Sequence, residues 1–161
     1  PELIVVSSCS KNFGLYRERT GALTLICETT EGTAAATTLL AAAARANYSM
    51  PPDHGAAIVQ TIMESPELSS DWDSELKEIR DRINSLRALL VARLQSAGVD
   101  RDFSFIEQEK GMFSFLGVNK DQIQTLIQQY SIYLVGSSRI NIASINDDNI
   151  DYLVESIKAV L

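Results

Sequence analysis

The sequence predicts an α/β fold laid out in two pieces, and three observations carry that prediction. Apolar runs of strand length occupy residues 3–6 and 22–27. Apolar residues then recur at steps of three or four through Leu68, Trp72, Leu76, Ile79, Ile83, Leu86, Leu90 and Leu94, the stripe of one long helix. Beyond Gly98 the pattern breaks into brief helical and extended segments. With 45% of the 161 residues apolar, the chain can fill a core, which excludes a disordered chain.

Taken in order, residues 3–6 read as a buried strand and 22–27 as a second strand. Residues 28–32 read as a turn and 33–46 as an alanine-rich helix, because alanine has the highest helix propensity. Pro51 and Pro52 bar its continuation. A shorter helix follows over 53–64. Ser65 and Pro66 supply an N-cap and a first helical residue for the long helix, and Gly98 stops it. At about 1.5 Å per residue that helix is roughly 45 Å long, with one face expected to be buried throughout. Asp73 with Lys77, and Glu78 with Arg82, stand four apart on its solvated face. Residues 103–109 and 112–115 read as a hairpin turning at Lys110-Gly111. Residues 121–130 form a helix with Ile123, Leu126, Ile127 and Tyr130 inward. Residues 133–136 and 139–143 are short strands. Asn146 caps a last helix with Ile150, Leu153, Val154, Ile157 and Leu161 inward. Residues 66–161 thus compose an α/β domain of helices on a mostly antiparallel sheet.

Composition narrows the partners. Fourteen basic residues against 21 acidic ones give a net charge of −7 and a pI near 4.7, which argues against nucleic acid. No basic run marks an anionic membrane surface, and no apolar run approaches the ~18 residues of a membrane span. Cys9 and Cys27 form no Cys-x-x-Cys pair and read as reduced, buried thiols of a cytoplasmic protein. His54, the only histidine, reads as a helix-start or packing residue, and no metal-ligand set is present.

Chemistry concentrates in Ser7-Ser8-Cys9-Ser10-Lys11-Asn12-Phe13-Gly14-Leu15-Tyr16-Arg17-Glu18-Arg19-Thr20-Gly21. Hydroxyl residues, one lysine, a glycine and an arginine eight positions after the lysine follow a strand. A lysine placed there can join a cofactor aldehyde as a Schiff base, while hydroxyls and a guanidinium hold a phosphate, the requirements of a pyridoxal-phosphate enzyme. By spacing alone, a surface lysine at a strand end is an equal reading. The extended pattern Ser-x-Ser-Lys-Asn-Phe-Gly-Leu-Tyr-x-Glu-Arg-x-Gly, however, resembles the cofactor-lysine segment of the class I aspartate and aromatic amino-acid aminotransferases. Arg45-Ala46-Asn47-Tyr48-Ser49-Met50-Pro51-Pro52-Asp53-His54-Gly55 and Ser138-Arg139-Ile140-Asn141-Ile142-Ala143 resemble later segments of that family, in the same order and at similar spacing.

The resemblance implies the C-terminal part of a fold-type I pyridoxal-phosphate transferase. Residues 1–65 would be the end of the large cofactor-binding domain, and 66–161 the small α/β domain entered through the long bridging helix. It implies a homodimer moving an amino group between an aspartate-, glutamate- or aromatic-type amino acid and a 2-oxo acid. Lys11 would be the catalytic residue, and Ser8, Ser10, Lys11 and Arg19 would bind pyridoxal 5'-phosphate. Arg139 would hold the substrate α-carboxylate. Arg45 would reach the neighbouring subunit's site to receive a distal carboxylate. Phe113 would border the substrate, with a packing role an equal reading, and Arg17 would face solvent. Met50 and Ser138 depart from the asparagine and glycine common in aspartate enzymes; the thioether mildly favours bulky apolar substrates. By resemblance the chain begins just before the cofactor lysine, with further site residues upstream, so the 161 residues alone are expected to be inactive. The competing expectation is a fragment that serves, if at all, as a binding or structural domain.

Overall fold

The structure, a computed structural model, describes residues 2–161; Pro1, the first residue of the expected large-domain piece, lies outside them. The chain divides into two compact units, one reaching to Leu76 and the other running Lys77–Leu161.

In the first unit, β1 (Leu3–Ser8) pairs antiparallel with β2 (Gly21–Ile26), in register from Leu3↔Ile26 to Ser8↔Gly21. Gly21 is required at the closed end, because a Cβ there would fall on the Ser7 carbonyl oxygen. The four-residue α1 (Cys9–Asn12) fills the connection between the strands. α2 (Thr30–Tyr48) begins three residues before the expected start, because Thr29 Oγ1 accepts from the Gly32 amide at 3.0 Å and caps it. It ends at Ser49, whose φ of 63° takes the chain out of the helix ahead of the prolines. α3 (His54–Glu64) follows, and α4 (Pro66–Ser96) starts where Ser65 Oγ accepts from the Leu68 amide at 3.3 Å. Expected burial fails here. Every residue of β1 is exposed, Val6 at 72%, because no layer of described residues covers the two-stranded ladder. Cys9 and Cys27 are free thiols, half-buried rather than buried.

The second unit contains the C-terminal half of α4, α5 (Phe105–Gln108), β3 (Phe113–Phe115), α6 (Lys120–Tyr130), β4 (Arg139–Asn141), a 3-10 turn (Ile142–Ser144) and α7 (Ile150–Val160). Its core joins Leu90, Leu94, Ile106, Leu116, Leu126, Ile142 and Ile157. The long apolar stripe is therefore buried only from Ile83 onward; Leu68 and Ile79 are exposed. The expected ion pairs on α4 rearrange as well. Lys77 meets Asp81 at 2.7 Å, and Arg82 donates to the carbonyls of Ala143 and Ile145.

No hairpin turns at Lys110-Gly111. Residues 105–108 are helical, and β3 pairs antiparallel with the distant β4. Residues 133–136 form no strand, and the strand expected over 139–143 passes into the 3-10 turn after Asn141. α6 carries a reciprocal capping box. Asn119 Oδ1 accepts from the Gln122 amide, and Gln122 Oε1 from the Asn119 amide, each at 2.9 Å. The last helix starts at Ile150 rather than after Asn146, whose Oδ1 accepts from the Asp148 and Asn149 amides in the preceding turn. Leu161 lies past its end, 45% exposed. Among the described residues no helix is long and apolar enough to cross a membrane.

Candidate active site

The candidate site is built on the connection between β1 and β2. The Cys9 amide donates to the Thr20 carbonyl at 2.9 Å, closing the loop across its base. Within it, Ser8 caps α1: its Oγ accepts from the Ser10 amide at 3.2 Å and donates to Ser10 Oγ at 2.8 Å. The two hydroxyls expected to share one ligand are thus joined to each other. Lys11 lies one residue further along the same turn and is exposed. Its Nζ sits 4.1 Å from the centroid of the Tyr16 ring, a cation–π contact. The Tyr16 carbonyl in turn accepts from Arg19 Nη1 at 3.1 Å. Arg19 holds a φ of 54°, in the left-handed region that residues with a Cβ adopt at a cost. Tyr16 therefore links the lysine to the arginine, a role that sequence reading did not give it, although it lies inside the motif. Arg17 faces solvent, as expected.

Two further contacts fix the loop. Trp72 Nε1 donates to the Asn12 carbonyl at 2.7 Å, and its ring stacks on Phe13 at 4.7 Å between centroids. Helical spacing assigns Trp72 to the core; the structure leaves it half-buried against the residues that follow Lys11. At the other end of the loop, His54 Nδ1 lies 3.1 Å from Glu18 Oε2. Gly55 lets the start of α3 approach, since a Cβ there would fall on Thr20 Oγ1. His54 is the first residue of α3, as its helix-start reading expected, and its ring is in addition a partner of the loop.

Arg45 is exposed in the last turn of α2. Its side chain makes no hydrogen bond to the helix-end carbonyls, the alternative that its position invites. In the second unit, Arg139 opens β4 and is exposed, with its Cζ 4.4 Å from the centroid of the Phe113 ring. Among the described residues its guanidinium meets no carboxylate. The preceding Ser138 is buried with a φ of 63°, and its Oγ accepts from the Gly117 amide at 2.9 Å. Among the described residues no three His, Cys, Asp or Glu side chains converge as a metal site would require.

The family described as aminotransferase class I and II matches residues 1–157. The chain belongs to this family. Among class I and II aminotransferases it is similar to the aspartate aminotransferase of Salmonella typhi, 49% identical over 160 residues, which are 99% of this chain and 40% of that protein. It is also similar to the aromatic-amino-acid aminotransferase of Paracoccus denitrificans, 44% identical over 98% of this chain and 40% of that one. The crystal structure of the aromatic-amino-acid aminotransferase of Burkholderia pseudomallei, described as covalently bound to pyridoxal phosphate, matches with a TM-score of 0.88 at 45% identity, over 99% of this chain and 40% of that chain. The chain spans about 40% of the length of the curated relatives that it matches. Its α/β fold is that of part of a fold-type I aminotransferase.

The donor set of the loop fits a phosphorylated aldehyde. It offers two hydroxyls, one amine and one guanidinium, carried within twelve residues on one short connection.

Proposed function

We propose that the full-length protein is an aminotransferase that exchanges an amino group between an aspartate-, glutamate- or aromatic-type amino acid and a 2-oxo acid, using pyridoxal 5'-phosphate held at Lys11. One observation carries the reading. In a chain of this family, Ser8, Ser10, Lys11 and Arg19 share a single loop, with Tyr16 between the amine and the guanidinium. When bound, the cofactor supplies an aldehyde for the lysine and an electron sink for the substrate α-carbon.

The chain's own residues do the rest. The Ser8 and Ser10 hydroxyls and the Arg19 fork bind the phosphate. Lys11 Nζ would take the proton from the α-carbon of the amino acid being consumed and, in the other half of the exchange, deliver one to the α-carbon of the amino acid being formed. Arg139 binds the α-carboxylate common to every amino and oxo acid, and so orients substrates without selecting among them. Arg45 receives the distal carboxylate of dicarboxylic substrates, reaching into the neighbouring subunit's site of a homodimer. In this reading residues 1–65 close the large cofactor domain and 66–161 form the small one. The free thiols of Cys9 and Cys27 support a reducing compartment such as the cytoplasm.

The test is borohydride reduction of the full-length protein with pyridoxal phosphate, followed by peptide mass mapping. The expected result is a reduced adduct on Lys11. An adduct on another lysine would overturn the assignment of Lys11, and no adduct at all would leave a binding or structural domain, a role that the exposed apolar faces of β1 and β2 would serve.

A further inference from the structure

Arg87 is a buried cation that the proposed chemistry does not use. It projects from α4 at 1% exposure. Nη1 donates to the Ile106 carbonyl at 2.9 Å, to Ser114 Oγ at 2.6 Å and to Glu109 Oε2 at 3.3 Å. Nη2 donates to the carbonyls of Gly111 at 2.7 Å and Phe113 at 2.8 Å. Ser114 Oγ also donates to Glu109 Oε2 at 2.5 Å, while Arg87 Nε is buried without a partner. A buried ion pair is a poor device for stability alone. Arg87 is desolvated while Glu109 stays one-third exposed, so burying the cation offsets much of the attraction, and an orphaned N–H adds to the cost.

What Arg87 does accomplish is local. All five of its acceptors lie between Ile106 and Ser114, so one guanidinium grips the whole approach to β3. Phe113 stands at the end of that grip. Its carbonyl is held by Arg87, its backbone pairs with Asn141, and its ring lies against the Arg139 guanidinium. The next-but-one residue, Phe115, pairs with Arg139 itself. The Phe113 ring is the contact that the structure records for the Arg139 guanidinium. Its pose therefore depends on where that ring is held, and the ring is carried on a stretch of backbone whose carbonyl Arg87 holds.

We propose that Arg87 is a positioning residue for substrate carboxylate binding: it clamps residues 106–114 so that Phe113 presents Arg139 in one orientation. This rests on the reading of Arg139 as the carboxylate clamp. The gain is pre-organisation, since a fork already aimed loses less side-chain freedom on binding.

The experiment uses the full-length protein loaded with pyridoxal phosphate and two amine-free probes, glutarate and 3-phenylpropionate. Their dissociation constants are measured for Arg87→Lys, Ser114→Ala, Phe113→Leu and Arg139→Lys, and for each of the first three combined with Arg139→Lys. Arg87→Lys, Ser114→Ala and Phe113→Leu are each expected to weaken probe binding by roughly tenfold, with KM rising more than kcat falls and with cofactor loading unchanged. Because they act through Arg139, none should weaken binding further once Arg139→Lys is present. Additive losses, or unchanged dissociation constants in the first three variants, would overturn the proposal. If Arg139→Lys alone leaves probe binding intact, the carboxylate-clamp reading itself falls and takes this one with it. Ser114→Ala removes the shortest of the Arg87 bonds while leaving the charge paired, so it decides the question if Arg87→Lys does not fold.

Discussion

Every large apolar side chain buried among the described residues lies between Ile83 and Ile157, whereas the unit reaching to Leu76 exposes Leu3, Val6, Leu23 and Leu39. The second unit is ordered by a packed core, so its geometry is set by volume and by sequence-distant contacts. The first is ordered by directional devices: a six-residue ladder, three hydroxyl caps, a closing hydrogen bond and one indole. The loop that carries Lys11 belongs to the directional half. Chemistry and stability should therefore respond to different substitutions, and that separation can be tested.

The largest effect is expected at Lys11. In the full-length protein, Lys11→Ala should lower transamination by at least about 10²–10⁴-fold, the scale of a lost general base. Hydrogen exchange of the Leu90 amide should stay unchanged, and faster exchange there would break the comparison. Next in size is the core itself. Leu90 is 0% exposed, so Leu90→Ala should cost about 2–5 kcal/mol in the opening free energy of α4 and α7 amides. Leu39, 71% exposed, should change by no more than about 0.5 kcal/mol on the same substitution. Equal costs at the two sites would show that the first unit has a core of its own. Smaller again is the capping box. Asn119→Ala should cost about 1 kcal/mol and free the Gln122 amide first.

The smallest effect concerns acid. The amide and hydroxyl of Ser104 hold the Asp102 carboxyl below its ordinary 3.8, and the Lys77 ammonium does the same, chiefly by its hydrogen bond, at Asp81. Because the folded values are depressed, their contribution is complete above about pH 4. It is lost as the pH falls through the folded values. Both groups are exposed, so acid titration should move the second unit little, and Asp102→Asn should remove its share of the slope. A slope that survives both Asp102→Asn and Asp81→Asn would assign it to other carboxylates.

Local signals were legible and sequence-distant pairings were not. The cap at Ser65, the prolines after α2, the helix expected over 121–130 and the lysine motif all follow from residues a few positions apart; the capping box at Asn119 was not read from the sequence. The pairing of β3 failed because its partner is Arg139–Asn141, and no local pattern around Lys110-Gly111 distinguishes a hairpin turn from the start of a distant pairing. Residues 133–136 have strand-like composition but find no strand to pair with. The stripe on α4 has one period along its length, yet what covers it is decided elsewhere in the chain. Ser8, Ser10, Lys11 and Arg19 stood out as candidates because the motif is contiguous, and the structure carries them on one loop. Tyr16 and Trp72 were missed because their parts are played through a ring face and an indole N–H. Arg87 carried no signal, since its acceptors are mostly backbone carbonyls.

Trp72 has a practical consequence. It is the single tryptophan of the 161 residues, and its indole is bonded to the carbonyl next after Lys11. The chain thus carries a built-in optical reporter. Excited at the red edge of protein absorbance, its emission reads the hydrogen bonding and stacking of the lysine loop, with no label attached and no background from a second indole in this stretch.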